Sequence, residues 1–193
     1  DTRQKRLLVT ARTMSRVLDT VAPQLEGADW VVDCVTPEGQ SHPADVLARL
    51  AEGYDAVIVG DDELSRTFFS RAPSQLGLVV KWGVGTDSID YEAANAAGVT
   101  VLNTPGMFGA EVADLAMGYV LVLARNMFRV HSGVLAGEWP QPEGVTLEGL
   151  TLGIIGFGDA GRSVARRAQA FGMDVVFHDP YFQGDAPSAR SCE

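Results

Sequence analysis

From residue 7 onward, short apolar runs rich in β-branched residues alternate with stretches whose apolar positions recur at helical spacing. This is the pattern of a parallel sheet with crossover helices. Strands are predicted over residues 7–10, 30–35, 54–59, 76–81 and 99–102, with Cys34 read as a core residue of the second. Helices are predicted over residues 14–25 and 43–50, from a cap at Asp61 or Asp62 to Arg71, and over 91–97, where Gly98 closes the helix. These five βα units read as a flavodoxin-like α/β domain over residues 1–104.

After Thr104-Pro105-Gly106 the texture changes. One long helix is predicted over residues 107–130, with Glu111 and Asp114 near its start and Arg125 and Arg129 near its end, as the helix dipole favours. Residues 115–124 are apolar all round, which predicts burial on every side. A loop at 138–144 leads to a new strand at 150–155, a helix at 162–171 and a strand at 175–177. Residues 105–193 are therefore expected to hold an interdomain helix and the first part of a Rossmann domain. Two strands alone would leave an unpaired, apolar sheet edge. No Met opens the chain and residues 187–193 close no element, so it reads as part of a longer protein.

Composition narrows the classes. The 193 residues carry a net charge of −10, with 46% hydrophobic and 21% charged residues, as in a globular protein with a substantial core. The acidic balance argues against non-specific nucleic-acid or anionic-membrane binding. Cys34 and Cys192 are too few for a disulfide scaffold or a cysteine zinc site, and no His/Asp/Glu set falls at metal-ligand spacing. The opening residues lack a signal-peptide pattern, and a cytoplasmic location is expected.

The strongest chemical signal is Gly153-Ile154-Ile155-Gly156-Phe157-Gly158-Asp159-Ala160-Gly161. It leaves a predicted strand and opens a helix, and the next strand ends at Asp179, the context a dinucleotide-binding turn requires. Gly156 permits the tight turn, Gly158 lets the backbone approach a pyrophosphate, and Gly161 lets helix and strand pack closely. The helix start offers free N–H groups to phosphates. Asp179 would hydrogen-bond ribose hydroxyls and repel a 2′-phosphate, favouring NAD over NADP. Asp159 has the wrong sign for a phosphate neighbour.

Three segments resemble the NAD-dependent D-2-hydroxyacid dehydrogenases of the phosphoglycerate dehydrogenase type. They are Gly83-Val84-Gly85-Thr86-Asp87-Ser88-Ile89-Asp90; Asn103-Thr104-Pro105-Gly106 with Val112-Ala113-Asp114 and Leu123-Ala124-Arg125; and the glycine-turn unit ending in Asp179-Pro180-Tyr181. The resemblance implies a substrate domain followed by a nucleotide domain, with a cleft between them. The complete protein would then transfer a hydride between NAD and the C2 of a small D-2-hydroxy or 2-keto acid. It assigns substrate binding to Gly83, Val84 and Gly85. It assigns cofactor binding to Val84, Gly156, Gly158, Asp159, Ala160, Gly161, Asp179 and Pro180. It also implies a homodimer through helix 107–130 and the arm after it. The family's catalytic Arg, Glu and His fall beyond residue 193, so no catalytic residue is assigned here. His42, His131 and His178 read as surface or structural. The absent triad keeps a non-catalytic NAD-binding remnant or scaffold open as the alternative, and the shared architecture keeps open a dinucleotide-sensing corepressor.

Overall fold

A computed structural model describes residues 3–186 and 189–192, and the chain divides into two compact units, Asp1–Pro105 and Gly106–Glu193. In chain order the first unit holds β1 (Lys5–Val9), α1 (Arg12–Ser15), α2 (Leu18–Glu26), β2 (Trp30–Cys34), α3 (Ala44–Leu50), β3 (Ala56–Val59), α4 (Arg66–Arg71), β4 (Leu78–Lys81), α5 (Tyr91–Ala96) and β5 (Thr100–Leu102). The strands form one parallel sheet in the order β2-β1-β3-β4-β5, the flavodoxin-like arrangement whose direction switches between β1 and β3.

Every residue of β3 is buried, because helices cover both faces of the sheet. Leu8, Val57, Val59 and Val79 pack on one side with Leu47, Leu64, Phe68 and Phe69. Leu7, Val9, Ala56 and Ile58 pack on the other with Ala11 and Met14. The period-two alternation of strand side chains produces this division. Each large side chain so buried contributes roughly 1.5–3 kcal/mol by transfer from water.

Three expectations for this unit change. The helix predicted over 14–25 is two helices, broken where the Val17 N–H donates to Met14 O in a tighter turn. Neither Asp61 nor Asp62 caps α4, whose cap position is Ser65; both carboxylates have stronger partners, named below. Cys34 is exposed rather than core, because it ends the edge strand β2.

The second unit holds α6 (Gly109–Ala124), α7 (Met127–Leu135), β6 (Thr151–Ile155), α8 (Asp159–Ala170), β7 (Asp174–His178) and β8 (Arg190–Ser191). Its strands form a parallel sheet in the order β6-β7-β8. The core gathers Met117 of α6, Ala165 and Ala168 of α8, Val175 and Phe177 of β7, and Leu147, Phe157 and Met173 from the connections. Arg167 donates to Asp114 at 2.6 Å, tying α8 to α6.

Here too the sequence reading needs correction. Helix 107–130 is two helices: Asn126 takes the left-handed conformation (φ +53°), which Asn tolerates better than most residues, and its Nδ2 donates to Glu143 O at 2.6 Å. Nor is α6 buried all round. Gly109, Ala113 and Met117 turn inward, whereas Leu115, Tyr119 and Leu123 are 58%, 57% and 75% exposed. Arg190–Ser191 of the tail forms β8; the tail's Pro187, Ser188 and Glu193, like the opening Asp1 and Thr2, lie outside the described residues. Among the described residues the sheet has edges at β8 and at β6, where Ile155 is 93% exposed. No described helix is long and apolar enough to cross a membrane.

Candidate functional site

In the second unit, the turn between β6 and α8 is built on an aromatic footing. Phe157, the residue between the first two glycines of the turn, is 3% exposed and stacks on Phe177 of β7 with ring centroids 3.8 Å apart. Phe182 meets both rings edge-on at 5.2 Å. Gly156 has φ +87°, a left-handed conformation that glycine adopts without strain, and its N–H donates to His178 O at 2.9 Å.

The other two glycines differ in what surrounds them. A side chain on Gly161 would collide with the Gly156 carbonyl and meet Ile154 Cγ2 at 3.3 Å, so close contact between helix and turn requires glycine there. A Cβ on Gly158 would have nothing within 4 Å; beside it the backbone is open to a ligand. Arg162 donates the first helical hydrogen bond, to Gly158 O at 3.0 Å, so the N–H groups of Asp159, Ala160 and Gly161 precede the ladder. Three donors at the positive end of a twelve-residue helix suit a diphosphate.

Asp179 follows β7 and returns to this turn. Its Oδ2 accepts the Phe157 N–H at 2.7 Å and its Oδ1 the Tyr181 N–H at 2.9 Å. These two donors, that of Phe157 first, hold the carboxyl below the usual carboxylate range. Pro180 is exposed beside it. Asp159 turns its carboxylate onto Gly109, the first residue of α6, so its charge lies at the start of a second helix.

Thus Gly156, Gly158, Asp159, Ala160, Gly161, Asp179 and Pro180 come together in one unit, whereas Gly83, Val84 and Gly85 lie in the other. The open Gly158 backbone, the free helix N-terminus and a carboxylate aimed by main-chain donors fit a dinucleotide with an unphosphorylated ribose.

Residues 117–192 match the family model described as D-isomer specific 2-hydroxyacid dehydrogenase, NAD binding domain. The second unit carries the NAD-binding domain of the D-2-hydroxyacid dehydrogenase family. NAD is its cofactor. A hydroxypyruvate reductase of Thermotoga maritima is 38% identical over 138 residues, covering 70% of this chain and 45% of that protein. A D-3-phosphoglycerate dehydrogenase of Methanocaldococcus jannaschii is 34% identical over 151 residues, covering 77% of this chain and 29% of its own length. The chain therefore spans less than half of these curated relatives. The crystal structure of the TT0316 protein from Thermus thermophilus superposes with a TM-score of 0.81 at 30% identity, over 97% of this chain and 59% of that one.

In the first unit, Gly83-Val84-Gly85 leaves β4 as a loop held from below. Asn103 Nδ2 donates to Val84 O at 2.9 Å, and the Thr104 N–H to Gly83 O at 3.0 Å. The Gly83 N–H is taken by Lys81 O, whereas those of Val84 and Gly85 have no acceptor among the described residues. The Thr104 hydroxyl is buried, with no partner among the described residues. Val84 is 44% exposed.

Several residues at this end of the sheet escape a sequence reading. Asp62, 1% exposed, accepts from the His42 N–H at 2.7 Å, meets His42 Nδ1 at 2.9 Å, and accepts from Thr10 Oγ1 at 2.6 Å and the Gly60 N–H at 3.2 Å. It ties the ends of β1 and β3 to the loop before α3. Lys81 ends β4 and is 6% exposed. A lysine closing an apolar strand is the available signal; its partner, Asp61, is not legible. Among the described residues no group of His, Cys, Asp and Glu could hold a metal ion.

Proposed function

We propose that the protein containing this chain is an NAD-dependent oxidoreductase that moves a hydride between NAD and the C2 of a small D-2-hydroxy or 2-keto acid. The observation that carries this is the turn at Gly156, Gly158 and Gly161 closed by Asp179 in a family whose matched domain binds NAD. NAD when bound supplies the hydride acceptor or donor. The chain's own residues hold and orient. The N–H groups of Asp159, Ala160 and Gly161 bind the diphosphate, and Asp179 accepts from the adenosine ribose hydroxyls.

The loop at Gly83, Val84 and Gly85 takes the substrate carboxylate. Two adjacent N–H groups without acceptors among the described residues make an anion-binding concavity. None of the three histidines is assigned to proton transfer: His42 is buried against Asp62, His178 Nδ1 lies 3.2 Å from Cys192 O, and His131 stands exposed on α7.

The exposed apolar stripe of Leu115, Tyr119 and Leu123, continued by Phe128, Leu135 and Trp139, supports a homodimer formed through α6, α7 and the arm that follows. We infer a cytoplasmic location from the two free cysteines, Cys34 and Cys192, which suit a reducing compartment. The testing experiment is NADH oxidation, followed by absorbance, by the natural full-length protein with a panel of 2-keto acids. Turnover with at least one is expected; no oxidation with any would overturn the reading.

A further inference from the structure

The charges around the loop at Gly83, Val84 and Gly85 bear on which acids it can accept, granted the reading of that loop as the carboxylate site. Lys81 runs directly beneath it: a Cβ on Gly83 would lie 3.4 Å from Lys81 Cε. The lysine is not a free cation. Its Nζ donates to Gly60 O at 2.5 Å and to Asp61 Oδ1 at 2.9 Å. The Asp61 side chain is 66% exposed, and the hydrogen bond from Lys81 holds its carboxyl below the ordinary range, so it is ionised at neutral pH. Lys81 and Asp61 together carry no net charge.

The cation that opens α1, at the same end of the sheet, is spent as well. Arg12 Nη2 donates to the carbonyls of Pro37 at 2.9 Å, Glu38 at 3.2 Å and Gly39. The exposed carboxylates of Glu63, in the connection after β3, and Asp87, two residues beyond Gly85, add negative charge. The loop thus offers two main-chain donors in surroundings that are neutral to acidic.

We propose that this end of the first unit selects 2-hydroxy and 2-keto acids with a single anionic group, the carboxylate, and rejects those carrying a phosphate or a second carboxylate. One anion is met by the Val84 and Gly85 N–H groups. A second anion on the same small molecule meets Lys81 already committed and faces Asp61, so its desolvation goes uncompensated. Asp61 is the residue that sets this limit. The relatives include a hydroxypyruvate reductase and a phosphoglycerate dehydrogenase, and the charge balance sides with the unphosphorylated substrate.

The test is a titration of the isotope-labelled chain, reading the Val84 and Gly85 amide signals by NMR, with glycolate, tartronate and 3-phosphoglycerate. Glycolate is expected to move both signals, and tartronate and 3-phosphoglycerate to bind at least about tenfold more weakly. Asp61→Asn keeps an oxygen for Lys81 but removes the charge; it is expected to narrow the gap between tartronate and glycolate about tenfold. If tartronate or 3-phosphoglycerate binds the wild-type loop as tightly as glycolate, or if Asp61→Asn leaves the ratio unchanged, the selectivity is overturned while the carboxylate loop stands. If none of the three moves these signals, the carboxylate loop itself fails and the selectivity with it.

Discussion

Asp179 closes the glycine turn across 22 residues of chain, its Oδ2 accepting the Phe157 N–H at 2.7 Å. The carboxylate fixes the backbone between Gly156 and Gly158, and in the proposed function the same ionised group takes the ribose hydroxyls. Replacing it should cost both. Asp179→Ala is expected to weaken NADH binding by about tenfold or more, roughly 1.4 kcal/mol, and to shift the Phe157 amide signal before any ligand is added. Calorimetry and NMR on the same sample check both halves.

The same carboxylate gives a pH dependence whose sign is set. Main-chain donors lower its pKa in the folded chain. Its contribution is therefore complete above the unfolded carboxylate value, near ~3.9, and is lost as pH falls through the lower folded value. NADH affinity should be insensitive to this group throughout and above the ordinary carboxylate range, about 3.9, and should fall only once pH drops below it. In an NMR titration of the Asp179 carboxyl carbon, a midpoint below the ordinary range is expected; one at or above it would contradict the hydrogen-bonding account.

Gly161 and Gly158 should separate fold from function. Gly161→Ala drives a methyl into the Gly156 carbonyl and should cost about 1–3 kcal/mol in urea unfolding. Gly158→Ala enters open space at φ −72°. Its stability should stay within about 0.5 kcal/mol of wild type, while the added methyl obstructs the diphosphate and NADH binding drops.

On sequence alone Asp159 is a charge of the wrong sign beside a phosphate, and Asp159→Asn is expected to bind NAD as tightly as wild type or tighter. The structure turns that carboxylate toward Gly109 at the start of α6. Asp159→Asn should therefore keep or improve NADH affinity and lose about 0.3–1 kcal/mol of stability from the α6 terminus. Paired calorimetry and denaturant titrations read the two effects separately.

What can be read in the chain, and what cannot, divides along physical lines. The stretch predicted at residues 54–59 announces a buried strand because its last four side chains are unbroken apolar, as burial on both faces demands, and β3 occupies those four, Ala56–Val59. The glycine turn is legible because each glycine answers a backbone requirement. Pairwise choices are hidden: Asp62 is as good a helix cap on paper as it is a buried partner for His42 and Thr10. Asn126 breaks a helix that its neighbours favour, since the reward, a hydrogen bond to Glu143 O, lies 17 residues away. Leu115, Tyr119 and Leu123 look like core because composition does not say which apolar stripe faces inward. The two polar residues of β8 carry no strand signal; only pairing with Val176 and Phe177 makes them one.

That outward stripe gives a prediction of its own. Leu123→Glu, at a position 75% exposed in the single chain, should leave the fold intact and convert a dimer to a monomer in sedimentation velocity. A wild-type protein that sediments as a monomer at micromolar concentration would remove the dimer proposal.

Whether the turn at Gly156, Gly158 and Gly161, with Asp179, is an NAD site is tested by a calorimetric titration of this chain with NADH and, in parallel, NADPH. Saturable NADH binding is expected, with NADPH at least about tenfold weaker if Asp179 faces the 2′-phosphate as proposed. Equal binding of the two, or no heat with NADH, would contradict that expectation.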